Sequence, residues 1–134
     1  IGGSFRFPFG RVKLTIAHHG SSNDSGSLGN PCGFMIYMGG KSVYHAGDTG
    51  LFSDMALIGD TNNIDAALLP IGDNFTMGIE DAVLAVGFLK PKIVIPMHYN
   101  TFEVIKQDPE IFRKSLSGKD VRVEIMKPGE SIEV

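Results

Sequence analysis

Two apolar segments separated by a helix-like segment constrain the fold of this chain most strongly. Residues 65 to 71 and 92 to 97 are apolar at positions that would lie on both faces of a strand, as expected for strands covered on each side. Between them, residues 79 to 89 repeat apolar positions along one helical face. Strands that need cover on two sides, combined with helices, predict a layered α/β domain.

Shorter patterns predict the remaining elements. Residues 11 to 18 alternate apolar and polar side chains, which is typical of a half-buried strand, and Gly39-Gly40 is a strong hairpin signal. Asp108-Pro109 is a cap followed by proline at the first position of a helix. The other predicted elements are strands Ser4–Phe9, Phe34–Met38, Ser42–His45, Val121–Met126 and Ser131–Val134, and helices Leu51–Ile58 and Asp108–Leu116.

Composition limits the class of protein. The 134 residues are 43% hydrophobic and 20% charged, which fits one globular domain. Twelve basic and fifteen acidic residues give a net charge of -3, which argues against nucleic acid and against a membrane as main partners. The single cysteine cannot form an internal disulfide, and no targeting segment is evident, so we expect a cytoplasmic location.

Potential metal ligands lie where predicted strands end. The segment Tyr44–Gly50 is a strand that ends in Asp48, although Asp48 could also belong to an ordinary turn. All four histidines lie in short motifs at strand ends, namely His18, His19, His45 and His98. Imidazole nitrogen and carboxylate oxygen form the ligand set of a zinc-like ion, so the sequence predicts a metal site, at least in part.

Strand geometry restricts which histidines can serve. Successive side chains point to opposite faces, so at most one of His18 and His19 binds metal. His45 lies three positions before Asp48 and faces away from it, which favours hydrogen bonding behind the ligands or core packing. Cys32 between Pro31 and Gly33 could be a nucleophile, but a small buried hydrophobic residue is the more common role.

Other residues near these motifs are weaker candidates. We expect the hydroxyl of Thr49 to hold the carboxylate of Asp48. Asp73 and Asn74 follow a buried strand, where site residues are common, yet Gly-Asp-Asn is equally an ordinary turn. Tyr99 either offers its phenol to a substrate or covers the edge of the sheet.

Five motifs in the same order give the chain a family resemblance. They are Ala17-His18-His19-Gly20-Ser21, residues 29 to 34, residues 45 to 50, residues 69 to 78, and Pro96-Met97-His98-Tyr99-Asn100-Thr101-Phe102. Together they resemble the C-terminal portion of the bacterial metal-dependent hydrolases of the metallo-β-lactamase fold, in the branch related to ascorbate-phosphate lactonases. The resemblance covers nearly the whole chain and implies part of an αββα four-layer sandwich.

The resemblance also implies roles for individual residues. It makes His19 a metal ligand, Asp48 the carboxylate that bridges two ions, and His98 the ligand near the end, with Asp48 and His98 catalytic. Its cofactors would be two divalent ions, zinc first, with manganese, nickel or iron as alternatives. The family's first motif, His-x-His-x-Asp-His, does not occur in residues 1 to 134. Residues 1 to 134 are therefore expected to be the C-terminal portion of a single domain.

The expected activity is hydrolysis of an ester, lactone or phosphoester, a small molecule, by this portion together with an N-terminal segment or complementary chain. The alternative is a non-catalytic domain that binds a metabolite or a partner. Two structural expectations follow. Ligand atoms of His19, Asp48 and His98 should lie within about 5 Å of one another. One sheet face should need cover from other polypeptide, either that segment or a second copy of the chain.

Overall fold

A computed structural model describes all 134 residues. The strands are β1 (Ser4–Phe7), β2 (Gly10–Ile16), β3 (Ser22–Asn23), β4 (Gly26–Ser27), β5 (Cys32–Met38), β6 (Lys41–His45), β7 (Ala66–Pro70), β8 (Ile93–Met97) and β9 (Arg122–Val123). The helices are α1 (Met55–Thr61), α2 (Ile79–Leu89) and α3 (Pro109–Ser115), with a 3-10 turn at Glu103–Ile105. None of these helices has the length and apolar character that crossing a bilayer requires.

Seven strands form one mixed sheet in the order β1-β2-β5-β6-β7-β8-β9, while β3 and β4 form a small separate hairpin. Neighbouring strands from β1 to β6 are antiparallel, and β6, β7, β8 and β9 run parallel. Because parallel strands end at the same edge, the loops that follow β6, β7 and β8 are brought together there.

The hydrophobic core lies on one face of this sheet. Met35 and Tyr44 are fully buried on that face and pack in one cluster with side chains of all three helices. The cluster includes Ala82, Ala85, Val86 and Leu89 of α2, which occupy one side of the helix. The predicted bounds of α2 agree with the structure. The apolar side of this helix packs against β7 and α1.

The opposite face of the sheet has no such cover. Val12, Ile36 and Val43 are paired across β2, β5 and β6, and none of them belongs to the core cluster or packs against it. On the same face of β1, Phe5 is 67% exposed and Phe7 is 42% exposed. The chain therefore forms an α/β arrangement of a sheet and one layer of helices, with an apolar sheet face open on the other side.

Three elements differ most from the sequence predictions. Residues 131 to 134 do not form a strand, and only Arg122–Val123 of the predicted strand 121 to 126 pairs with the sheet. Most of the final four side chains are exposed, so the alternating pattern there buries no apolar face. The predicted helix 51 to 58 begins later, at Met55, because residues 50 to 52 are irregular and Ser53 and Asp54 form a turn.

Candidate metal site

Asp48 and His98 meet at the edge where the parallel strands end. Asp48 follows β6, His98 follows β8, and the carboxylate Oδ2 of Asp48 lies 3.7 Å from Nε2 of His98. The side chains are 48% and 29% exposed, respectively, so both remain accessible from solvent. Donors at this separation can share one ion at bond lengths of roughly 2.0 to 2.2 Å. Of the three predicted ligands, the structure brings these two together.

His98 has two unusual features. Its backbone φ is 54°, a left-handed conformation that residues with a side chain seldom adopt. Its Nδ1 atom is buried and has no hydrogen-bond partner within the chain. An imidazole that presents Nε2 to Asp48 while Nδ1 lacks a partner fits a metal ligand whose second hydrogen bond is supplied from outside these residues.

His19 does not complete this pair. Its side chain is exposed on the loop after β2, where Nδ1 donates a hydrogen bond of 2.7 Å to the carbonyl oxygen of Gly20. The chain contains no group of three or more His, Cys, Asp or Glu side chains placed to hold a metal ion. The expected convergence of three ligands is therefore not seen. The donor types fit a metal ion, but two donors do not complete its coordination.

Thr49 connects the loops around the site. Its fully buried hydroxyl accepts a hydrogen bond of 2.9 Å from His18 N–H and donates to Gly50 O at 2.8 Å. Gly50 N–H donates to His18 O, and Met77 N–H donates to Thr49 O, each at 3.0 Å. The sequence suggested that this hydroxyl holds the carboxylate of Asp48. In the structure it contacts backbone groups instead. Thr49 ties the His18-His19 loop to the loop that carries Asp48.

The loop after β7 supports His98 through its backbone. A Cβ atom at Gly72 would lie 2.2 Å from His98 O, so only glycine permits this approach. Asp73 and Asn74 are exposed and left-handed, with φ of 60° and 55°, and Oδ1 of Asp73 accepts the Asn74 N–H. These contacts describe a turn, one of the two alternatives left open by the sequence. Gly72 is a supporting residue that sequence reasoning missed.

The remaining candidates occupy the surroundings of the pair. The ring of His18 stacks on Phe52, with centroids 5.0 Å apart. His45 lies across the ladder from Phe34 on the open sheet face, and its Nδ1 accepts the Gly47 N–H at 3.1 Å. Burial lowers the pKa of His45, and the negative charge of Asp48 partly offsets this. Tyr99 packs against the core cluster, and burial raises the pKa of its phenol.

These features agree with comparison to known proteins. Residues 1–99 match the family described as the beta-lactamase superfamily domain. The chain therefore belongs to that family. Its fold is the mixed α/β arrangement of the metallo-β-lactamase superfamily, as solved relatives also show.

Individual relatives carry hydrolase names. A metal-dependent hydrolase of Desulforamulus reducens is 58% identical, over all of this chain and 61% of that protein. A novel metallo hydrolase from the archaeon Ignicoccus hospitalis is 46% identical with a TM-score of 0.88, over 98% of this chain and 57% of that one. An isothiocyanate hydrolase from Delia radicum gut bacteria, 19% identical with a TM-score of 0.76 over 99% and 59%, shares the fold. The chain thus spans about three fifths of the length of these relatives.

Proposed function

We propose that the protein of which these residues form part is a metal-dependent hydrolase, and that this chain contributes Asp48 and His98 to its metal site. The observation that carries the proposal is the 3.7 Å approach of Asp48 Oδ2 to His98 Nε2 at the ends of β6 and β8. The names of the relatives, metal-dependent hydrolase and metallo hydrolase, support it. The single cysteine, Cys32, supports a cytoplasmic setting.

Each residue of the pair has a defined task. The carboxylate of Asp48 offsets cationic charge, and Nε2 of His98 provides a neutral nitrogen donor. Thr49 ties the loop that carries Asp48 to the loop that carries His18 and His19, by its hydrogen bonds to His18 and Gly50. One or two divalent ions, zinc in the first place, would supply Lewis-acid chemistry there. The proposed substrates are esters, lactones or phosphoesters.

The remaining ligands are proposed to come from an N-terminal segment of the same protein. Two donors leave a tetrahedral ion short of ligands, so other polypeptide must complete the site. The open sheet face of β2, β5 and β6 is apolar and adjoins the strand ends that carry Asp48 and His98. A segment packed on this face would reach the site from that side. In this proposal the missing donors would approach Asp48 and His98 from solvent, to which both side chains are partly exposed.

The test compares two proteins, residues 1 to 134 alone and the full-length protein. Metal content is measured by mass spectrometry, and turnover is measured on phosphodiester, lactone and ester substrates with and without a chelator. We expect metal-dependent turnover only from the full-length protein, and expect Asp48→Asn to abolish it. Full metal-dependent turnover by the monomeric 134-residue chain would contradict the division of ligands. Metal binding without turnover on all three substrate classes would favour a non-catalytic binding domain.

A further inference from the structure

A second concave site lies at the end of the sheet opposite the metal site. It is formed where β5 ends and β6 and β7 begin, whereas Asp48 and His98 follow the far ends of β6 and β8. The cavity measures about 470 Å³, within the range of small-ligand sites. Its wall includes Arg6, Arg11 and Lys41. No part of the metal site contributes to it.

None of the three cations in this cavity forms a close ion pair. Arg6 and Arg11 are directly opposite each other in the β1–β2 ladder, and like charges opposite one another destabilise a sheet. No carboxylate lies within 4.0 Å of Arg6, Arg11 or Lys41, although five other basic residues of the chain form such pairs. This accumulation occurs in a chain whose net charge is -3. Three cations gathered in one cavity favour an anionic ligand.

The only carboxylate in the cavity wall is already engaged. Asp65 accepts a hydrogen bond of 2.8 Å from Lys92 Nζ and another of 2.8 Å from Ser42 N–H. The hydrogen bond from Lys92, followed by that from Ser42, holds the pKa of Asp65 below its ordinary range. Asp65 is thus hydrogen-bonded to Lys92 and Ser42, and the charge of Lys41 adds a smaller effect in the same direction on its pKa. Three positive side chains remain for a ligand.

One of these cations is held in place before any ligand arrives. The guanidinium carbon of Arg11 lies 3.8 Å from the centroid of the Tyr37 ring. The Tyr37 hydroxyl in turn donates a hydrogen bond to Asn62 Oδ1. A guanidinium fixed on an aromatic face loses less freedom when it binds an oxyanion, and its planar fork matches phosphate geometry. The wall therefore combines one guanidinium held on an aromatic ring with two exposed cations.

We infer that this cavity is a second ligand site, which binds a small molecule carrying phosphate groups through Arg6, Arg11 and Lys41. The phosphate oxygens would lie between the two opposed arginines and relieve their mutual repulsion. Lys41, at the start of β6, would contact the same group or a second phosphate. Because β6 and β7 separate the cavity from Asp48 and His98, binding there does not require the metal site. Phosphate binding in this cavity can therefore be tested independently of the proposed hydrolase activity.

The experiment is a titration of the isotope-labelled full-length protein with pyrophosphate, followed residue by residue by nuclear magnetic resonance. We expect saturable shifts at the amides of Gly39, Gly40 and Ser42. Arg6→Gln/Arg11→Gln should raise the Kd for pyrophosphate about tenfold or more, because charge-assisted hydrogen bonds are lost. The matched control is Lys114→Gln/Lys119→Gln, which removes two exposed charges elsewhere and should leave the Kd nearly unchanged.

Three results would overturn the inference. The first is an equal rise of the Kd in both double variants, which would mean a general charge effect. The second is reproduction of the same shifts by sodium chloride at matched ionic strength. The third is shifts confined to residues around Asp48 and His98. If the arginine double variant loses its dispersed spectrum, the single Lys41→Gln variant, on an exposed hairpin position, provides the same comparison.

Discussion

His98 adopts a conformation that costs free energy, and its surroundings explain how it is maintained. A left-handed φ at a non-glycine residue costs on the order of 1 kcal/mol and persists only where neighbouring structure enforces it. Gly72 provides that enforcement, because its backbone packs directly against the carbonyl of His98. Left-handed residues also occur at Asp73, Asn74 and Asn100 in the same group of loops. Such clustering is typical of functional sites and agrees with a role for His98 as ligand.

Substitution of Asp48 and of His18 should have different effects on metal binding. Asp48→Ala removes a charged donor, so we expect the metal affinity of the full-length protein to fall by about 100-fold or more. His18→Ala removes a ring that stacks on Phe52 but keeps the backbone N–H that Thr49 accepts. We expect that variant to bind metal normally and to lose about 0.5 to 1.5 kcal/mol of stability. Equal losses of metal would refute the assignment; isothermal titration with zinc measures both.

The hydroxyl of Thr49 should contribute more to stability and metal affinity than the shape of its side chain does. Thr49→Val is nearly isosteric but removes the acceptor of the part-buried His18 N–H, which should cost about 1 kcal/mol of unfolding free energy. Metal affinity should fall about tenfold, since the His19 loop loses its tie to the Asp48 loop. Thr49→Ser keeps the hydroxyl and should restore both quantities. Denaturant unfolding and metal titration test this, and a serine variant no better than valine would contradict it.

At the scale of elements, one carboxylate connects the beginnings of three parallel strands. Asp65 precedes β7, accepts from Ser42 N–H at the start of β6, and pairs with Lys92 just before β8. Backbone bonds from Asp65 N to Ser42 O and from Ile93 N to Asp65 O reinforce the same junction. The register of these strands fixes where their far ends deliver Asp48 and His98. A contact at one end of the sheet therefore positions the site at the other.

Removal of the Asp65 carboxylate should weaken the dependence of the free energy of unfolding on pH in the acidic range. The pKa of Asp65 is lowered in the folded protein, so its contribution is present above its unfolded pKa, near 3.9, and is lost as pH falls through the folded value. Asp65→Asn should cost about 1 to 3 kcal/mol at pH 7 and progressively less below about pH 4. Asp60→Asn, which breaks the exposed pair with Lys90, is the control and should cost under about 1 kcal/mol. Guanidinium unfolding at several pH values measures the loss of unfolding free energy in each variant. A loss for Asp65→Asn that stays constant down to pH 2 would contradict this account.

At the scale of the whole molecule, the open sheet face is the dominant feature. Helices cover one face and form a single core, while Val12, Ile36 and Val43 on the other face pack against no helix. The exposed aromatic side chains of Phe5, Phe7 and Phe9 contact one another at the edge strand and nearby turn. Contiguous apolar surface of this kind marks an interface. We interpret it as the surface on which the proposed N-terminal segment packs.

The open face predicts different behaviour of two lengths of the protein. Residues 1 to 134 alone should self-associate and bind a hydrophobic dye, whereas the full-length protein should do neither, because its apolar face is covered. Ile36→Asp should destabilise the full-length protein by about 2 kcal/mol or more, since it buries an unpaired charge. Leu57→Asp, at an exposed position of α1, should be close to neutral. Sedimentation, dye binding and unfolding measure these effects, and a monomeric 134-residue chain without dye binding would refute the interpretation.

The sequence by itself determined the local elements and the general chemistry. The period of apolar residues fixed α2 at 79–89, and alternation identified β2, because each pattern reflects contacts along one element. The short final strand was predicted wrongly, since whether 131–134 pairs depends on a neighbour that local pattern does not contain. Asp48 and His98 could be predicted as candidate ligands because both residue type and position at a strand end are local properties.

Only the tertiary structure decided how these residues are arranged. The distance of 3.7 Å between Asp48 and His98, and the separation of His19 from a three-ligand group, depend on how β2, β6 and β8 are placed in the sheet. The contact of Thr49 with His18 and not with Asp48 joins residues 31 positions apart. The opposition of Arg6 and Arg11 depends on strand register. Such relations arise from packing between distant segments, which the order of residues along the chain does not specify.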